Sequence, residues 1–277
     1  MSLDQDPILS NNIVKKHNKR LLVFPHTGMG DHLIVYGAIC QLSQEYDEIK
    51  IVVLENFLQS VQFLYRDDDR ITFLPIKDVY DFSPNFRYDF EFGTNSHNVN
   101  LDKINKYIEL GYTYMGCYMH KLNFNHTYNR PIPFYEIFYQ DLGLDYNSTR
   151  WKFSLNRDIE REKIFYNQIA PKNKYIFVHD NIDSKFSSTT GKINITSELE
   201  IFEPNKAAQI SNIILDYGYI IENAEELYIL DSSFYSLCNY LDLSKIKKKI
   251  VFIRPGNTYL NYLKTDIGWE RYELKQV

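Results

Sequence analysis

The first 76 residues alternate between short apolar runs and longer segments with helical spacing. The apolar runs lie at 20–25, 50–55 and 70–76, and the segments between them, 31–42 and 57–65, repeat apolar residues every three or four positions. Strand, helix, strand, helix, strand in this order is typical of a right-handed parallel unit. The pattern therefore predicts the α/β fold class.

Helices are also predicted at 101–110 and at 133–143, where Gly143 fits the position that follows a helix. Asp145 to Leu155 is predicted to be a polar linker that leads into a new strand. We expect a domain boundary near residue 150.

The second half repeats the strand and helix alternation over a shorter length. Strands are predicted at 174–180, 226–230 and 249–253, the last of these being the final strand of the chain. A helix is expected from Asn205 to Tyr217, and another from Phe234 to Leu241. In the helix from Asn205, four residues are expected to face inward: Ala208, Ile210, Ile213 and Ile214.

These elements predict two Rossmann-like domains that face each other across a cleft, with a compact second domain. Residues 1–18 are expected to be a flexible polar leader, 19–150 the first domain and 151–277 the second. The glycine loop that follows the first strand lies where open parallel sheets bind ligands, beyond the carboxyl ends of the strands.

Composition excludes several classes of function. The net charge of −5 argues against a nucleic-acid partner, because such proteins usually present a strongly basic face. No apolar stretch approaches the roughly 20 residues that span a bilayer, and no signal-peptide core is recognisable, so a cytoplasmic protein is expected. The three cysteines are far apart, which favours buried reduced thiols over metal or redox chemistry.

The loop Gly28-Met29-Gly30 and the following Asp31 form the first candidate site. Glycines permit close approach of the backbone to a ligand, which suits a phosphate or a sugar hydroxyl, although the loop also fits a plain strand-to-helix turn. Asp31 fits either a helix-capping acid, worth roughly 1 kcal/mol, or a general base. His32 could also act as a general base, or it could simply be a surface histidine.

Two further groups follow predicted strands in the second half. His179 and Asp180 end one strand, and Asp231-Ser232-Ser233 follows another and precedes a helix. Their hydroxyls and amides could receive a diphosphate, or they could only cap the turn and the helix.

Arg66-Asp67-Asp68-Asp69-Arg70 contains a D-x-D pattern, which in one class of glycosyltransferases carries a metal ion. Here the pattern precedes a strand, whereas the metal-binding motif normally follows one. A solvated loop is therefore favoured, and no metal site is predicted from this segment or from any His or Cys spacing.

Gly28-Met29-Gly30-Asp31 running into the apolar helix resembles the first loop, G-x-G-D, of the heptosyltransferase-like glycosyltransferases of family 9, which have the two-domain GT-B fold. The stretch 221–241 contains the sequence ENAEELYILDSSF. It is similar to the donor-binding segment of that family and to the N-S-S-F-S segment of α-1,2-fucosyltransferases. Strand 175–179 is similar to the fucosyltransferase V-H-x-R strand, but no arginine follows His179.

The resemblance implies a metal-independent, inverting glycosyltransferase that needs no cofactor and takes a nucleotide-sugar donor. In that family the aspartate after the glycines is the catalytic base, so the resemblance implies this role for Asp31. His32 remains a second catalytic candidate, from its position next to Asp31. The donor and its phosphates would be bound by Gly28, Met29, Gly30, His179, Asp180, Glu222, Asp231, Ser232 and Ser233.

The acceptor hydroxyl would belong to a glycan, a lipid-linked molecule or a protein. Lys185 or Lys192 would have to replace the missing arginine. The alternatives are a non-catalytic sugar or nucleotide binding protein with a degenerate GT-B fold, and a metal-dependent GT-A enzyme that uses Asp67 and Asp69.

Overall fold

The chain folds into two parallel sheets, each covered by helices. The computed structural model describes residues 19–25, 28–77, 101–116, 134–179, 195, 198–207, 210–253 and 268–274. The predicted leader, 1–18, lies outside the described residues. The α/β fold class and the two-unit, GT-B-like architecture are confirmed.

The first sheet has the strand order β3-β2-β1-β4, and all its neighbours are parallel. Its strands are β1 (Arg20–Phe24), β2 (Glu48–Leu54), β3 (Ile71–Ile76) and β4 (Tyr112–Gly116). The helices of this half are α1 (Met29–Ile34), α2 (Tyr36–Leu42), α3 (Leu58–Leu64), α4 (Leu101–Glu109), α5 (Phe134–Asp141) and α6 (Tyr146–Thr149).

The second sheet has the order β6-β5-β7-β8-β9 and is also parallel throughout. Its strands are β5 (Tyr175–His179), β6 (Glu200–Phe202), β7 (Glu226–Leu230), β8 (Lys248–Ile253) and β9 (Trp269–Glu273). The helices are α7 (Ile159–Ile169), α8 (Pro204–Ala207), α9 (Gly218–Glu222) and α10 (Ser233–Cys238), with a 3₁₀ turn at Ile214–Tyr217.

One hydrophobic cluster spans the described residues of both halves, and a smaller one lies within the second half. Buried side chains of β1 and α1 belong to the same contiguous cluster as those of β5, β7 and α10. The hydroxyl of Ser60 on α3 also accepts from Ile214 N–H (2.8 Å) and donates to Asn212 C=O (3.0 Å) in the second half. The halves are therefore held together by both apolar packing and hydrogen bonds.

Two predicted helices differ from the structure. The segment 31–42 is broken at Val35, whose ψ of 1° separates α1 from α2. The prediction of one helix from Asn205 to Tyr217 is wrong, because residues 211–213 have no regular structure and Ile210 is 57% exposed. Of the other residues expected to face inward, Ile214 is buried, Ile213 is half-buried and Ala208 lies outside the described residues.

The predicted linker contains the short helix α6 and is not followed by a strand. Arg150 is fully buried, and the next element is α7, whose first turn is capped by Asp158 accepting from Arg161 N–H (3.0 Å). Two exposed isoleucines, Ile159 and Ile164, obscure the apolar stripe of this helix in the sequence. The prediction that the strand at 249–253 is the last one is also wrong, because β9 follows it.

Candidate active site

The glycine loop joins the carboxyl end of β1 to α1. Gly28 precedes the helix, and the Asp31 carboxylate accepts a hydrogen bond from Gly28 N–H at 2.8 Å. This is the return half of a capping box, so the predicted capping role of Asp31 is observed. We call Gly28 to Asp31 the first corner. Catalysis by the half-buried Asp31 stays a prediction.

Gly30 lets the first corner touch the second half of the chain. A Cβ at this position would lie 3.1 Å from Ser236 Oγ and 3.4 Å from Ser233 Cα. Any side chain at this position would therefore push α1 and α10 apart. The start of α1 and the start of α10 are in direct contact through this glycine.

The second corner, Asp231 to Ser233, joins the carboxyl end of β7 to α10. Ser232 occupies the N-cap position, but its side chain makes no capping hydrogen bond. Its hydroxyl instead lies 3.0 Å from Nδ1 of His179, which ends the neighbouring strand β5. The His179 ring also packs on Phe234, with ring centroids 4.8 Å apart. Ser232 of the second corner and His179 thus meet across the ends of two neighbouring strands.

The structure brings together most of the predicted site residues. Gly28, Gly30 and Asp31 lie at the carboxyl end of β1, and Gly30 places them against the second corner. Three predicted members have buried side chains: Met29 is 5% exposed, Asp231 is 3% exposed and His32 is fully buried, so His32 is in the core and not at the surface. Catalysis by His32 stays a prediction. Asp180, Lys185 and Lys192 lie outside the described residues.

Glu222 lies apart from these residues. It ends α9 four residues before β7 begins, which places it toward the amino end of that strand, opposite to the second corner. Its carboxylate accepts from Arg157 Nη1 (2.6 Å) and Nη2 (2.9 Å) and from Asp242 N–H (2.9 Å). Arg157 also binds the buried Glu162, so these groups form an ion-pair network that joins α7 to α9.

The D-x-D segment lies ahead of β3, away from the carboxyl ends of the strands. The Asp68 carboxylate accepts from Arg70 Nε (2.7 Å) and Nη2 (2.8 Å), and Asp67 accepts from the side chain of Asn156. Within the described ranges, no group of three His, Cys, Asp or Glu side chains could hold a metal ion. Asp67 and Asp69 thus contribute nothing to the two corners.

The cysteines within the described residues carry no signs of reactivity. Cys40 and Cys238 are both free thiols. Burial raises the pKa of Cys40 to about 11 and also raises that of Cys238, so both are protonated at neutral pH. In the part of the chain that the structure describes, no helix has the length and apolar character needed to cross a membrane.

No protein-family model matches the chain, and no curated protein matches it in sequence. Solved structures do match. A glycosyl transferase of family 9 from Veillonella parvula DSM 2008 superposes with a TM-score of 0.50 at 10% identity, over 92% of this chain and 87% of that one. The E. coli heptosyltransferase WaaC, solved with ADP, superposes with a TM-score of 0.41 at 12% identity, over 93% and 94% of the two chains. This chain therefore has the two-sheet, GT-B-like fold of the family 9 glycosyltransferase from Veillonella.

Proposed function

We propose that this protein is a glycosyltransferase that moves a sugar from a nucleotide-sugar donor to a hydroxyl acceptor. The observation that supports this most is the contact between the first and second corners through Gly30. Gly30 is next to Asp31 in α1, and it meets Ser233 and Ser236 of α10, so the two helix starts that follow β1 and β7 are in contact. The likeness in fold to a protein named as a family 9 glycosyl transferase supports the same class of reaction.

In the proposed reaction, Asp31 is the general base. The acceptor oxygen attacks the anomeric carbon of the sugar, the bond from that carbon to the diphosphate oxygen breaks, and the hydroxyl proton passes to the Asp31 carboxylate. Attack from the side opposite to the leaving group inverts the anomeric configuration. Gly28 N–H holds the carboxylate by one hydrogen bond, which fixes its orientation before the substrate arrives.

The second corner would hold the leaving diphosphate. Ser232 and Ser233 are half-buried, and Ser232 shares its hydroxyl with His179 and not with the start of α10. Hydroxyl and imidazole donors aimed at phosphate oxygens stabilise the charge that develops as the bond breaks. No step of this proposal requires a metal ion.

A thermal-shift panel tests donor binding. UDP, GDP, ADP, CMP and their common sugar conjugates are each added with and without Mg²⁺. A ligand at about 100 times its Kd adds about 2.7 kcal/mol of apparent stability. We expect one nucleoside diphosphate to raise Tm equally with and without Mg²⁺. A shift that appears only with Mg²⁺ would contradict the metal-independent mechanism. The absence of a shift with every nucleotide would contradict the proposal that the donor is a nucleotide sugar.

The second candidate function is a non-catalytic binding module. It is favoured by one observation in the structure, that the Asp31 carboxylate already serves as a capping group within its own helix. It is favoured also by the absence of an arginine directly after His179 in the sequence. Slow hydrolysis of the bound donor distinguishes the two, because a transferase passes its sugar to water at a measurable rate and a binding module does not.

A further inference from the structure

The short helix that carries Asp31 is held at its other end by two tyrosine hydroxyls. Tyr240 OH donates to Leu33 C=O at 2.8 Å, and Tyr139 OH donates to Ile34 C=O at 2.8 Å. Both acceptor carbonyls lie at the end of α1, next to the break at Val35. Tyr139 belongs to the first half of the chain and Tyr240 to the second.

Arg150 connects these two tyrosines. Its guanidinium carbon lies 4.5 Å from the centre of the Trp151 ring and 4.7 Å from the centre of the Tyr240 ring. The side chain is fully buried, and its charge lies beside the Tyr139 hydroxyl.

The backbone around Arg150 also supports the break between α1 and α2. A Cβ on Gly37 would lie 2.7 Å from Thr149 C=O and 2.8 Å from Arg150 C=O, so α2 rests directly on this segment.

Burial raises the pKa of Tyr139, while the Arg150 charge and a hydrogen bond with the backbone of Ala38 oppose that rise. The Tyr139 hydroxyl therefore stays protonated and remains a donor at neutral pH.

We propose that Tyr240 is a positioning residue for the transfer reaction, which fixes α1, and with it the Asp31 carboxylate, relative to the second corner. The inference rests on the proposed function for its effect on turnover, but the positioning of α1 can be measured without it. Leu33 is two residues from Asp31 within one short helix, so a shift at one end moves the other. Tyr240 lies two residues beyond the end of α10, and α10 starts at the second corner.

Tyr240→Phe tests the proposal, because it removes the hydroxyl and keeps the ring that stacks on Arg150. Tyr175→Phe is the matched control: Tyr175 OH also donates to a backbone carbonyl, that of Ile220 at 2.6 Å, but it lies at the amino end of β5. The two variants lose the same kind of hydrogen bond and differ in whether that bond holds α1.

The first readout is amide hydrogen exchange across residues 28–37, which needs no activity. Loss of one hydrogen bond should accelerate exchange of α1 amides about fivefold in Tyr240→Phe and leave them unchanged in Tyr175→Phe. Equal exchange in Tyr240→Phe and wild type, or equal acceleration in both variants, would overturn the proposal whether or not the protein turns over a donor.

The second readout is the kinetics of donor turnover. A misplaced base lowers kcat by roughly 10- to 100-fold, and the donor KM should change less than about threefold. An unchanged kcat in Tyr240→Phe, or an equal fall in Tyr175→Phe, would overturn the proposal. If wild type fails to turn over any donor while Tyr240→Phe still loosens α1, the proposed function falls and the positioning of α1 by Tyr240 stands.

Discussion

The two corners of the candidate site have the same local plan but use their side chains differently. Each follows a buried parallel strand and starts a short helix. At the first corner, the Asp31 carboxylate turns back to its own helix start and accepts from Gly28 N–H. At the second, Ser232 occupies the capping position but places its hydroxyl beside His179 on another strand.

This difference shows that a residue type at a capping position does not fix its role. The carboxylate of the first corner is oriented by its own backbone, which suits a group that must wait in one position for a proton. The Ser232 hydroxyl of the second corner lies beside the imidazole of His179, at the end of a neighbouring strand. Under the proposed function, the first corner would supply a single oriented base, and the second a pair of polar groups for the donor.

The largest expected effect is on turnover in Asp31→Asn. An asparagine oxygen still accepts from Gly28 N–H, so the helix start is retained, but the amide does not take a proton. Donor turnover should fall by roughly 10²- to 10⁴-fold. Steady-state kinetics measures it, with Asp158→Asn as the control, since the Asp158 carboxylate also accepts a backbone N–H at a helix start, that of Arg161. Turnover within about threefold of wild type would remove Asp31 as the base.

Gly30→Ala tests the contact between the corners. The new methyl group would meet Ser236 Oγ at 3.1 Å, and overpacking of this kind costs typically 1–3 kcal/mol. Chemical denaturation of Gly30→Ala, Ser236→Ala and the double variant measures the coupling. We expect the double variant to recover part of the loss, because it removes the nearest atom. Additive losses would show that the two helix starts do not press on each other.

Ser232→Ala separates capping from ligand binding. Because Ser232 makes no capping bond, its loss should cost only the half-buried hydrogen bond with His179, about 0.5 kcal/mol of stability, whereas Asp158→Ala should cost about 1 kcal/mol. Donor KM should rise about tenfold, as expected when a hydrogen bond to a charged group is lost. If Ser232→Ala destabilises the fold as much as Asp158→Ala and leaves KM unchanged, the second corner is a structural cap.

The smallest effect is the pH dependence of a simple cap. The pKa of Asp145 is lowered because the backbone N–H and hydroxyl of Ser148 donate to it. Its folded-state pKa lies below the unfolded value of about 3.9, so its contribution to stability is present above that pH and is lost as pH falls through the folded value. The stability difference between wild type and Asp145→Asn should shrink below about pH 4 in acid denaturation. A difference that stays constant to lower pH would contradict this.

The sequence was sufficient for the parallel α/β pattern and for the residues at the strand ends, because buried strands and strand-to-helix corners are local features. Glu222 could have been separated by the same rule, since it precedes β7 and does not follow it. His32 lies three residues after the buried Met29 on α1, so helical spacing indicates that it lies on the same buried face.

Other features depend on contacts far along the chain. The hydrogen bond from Tyr240 to Leu33 joins residues 207 positions apart, and the packing of Gly30 against Ser233 joins the two halves. Neither leaves a local signal. The Asn205 to Tyr217 segment has apolar residues at helical spacing, but the Ser211 hydroxyl accepts from Ile213 N–H, and this local bond competes with a helix there.

Hydrogen exchange with and without a saturating nucleoside diphosphate, chosen from the thermal-shift panel, tests most directly whether the two corners form one site. Mass spectrometry of peptic fragments follows residues 28–34 and 231–238 in the same sample. A shared site predicts slower exchange in both segments on binding, with no comparable change around Glu222. Protection of one corner alone, or of neither, would contradict a single site built from both halves of the chain.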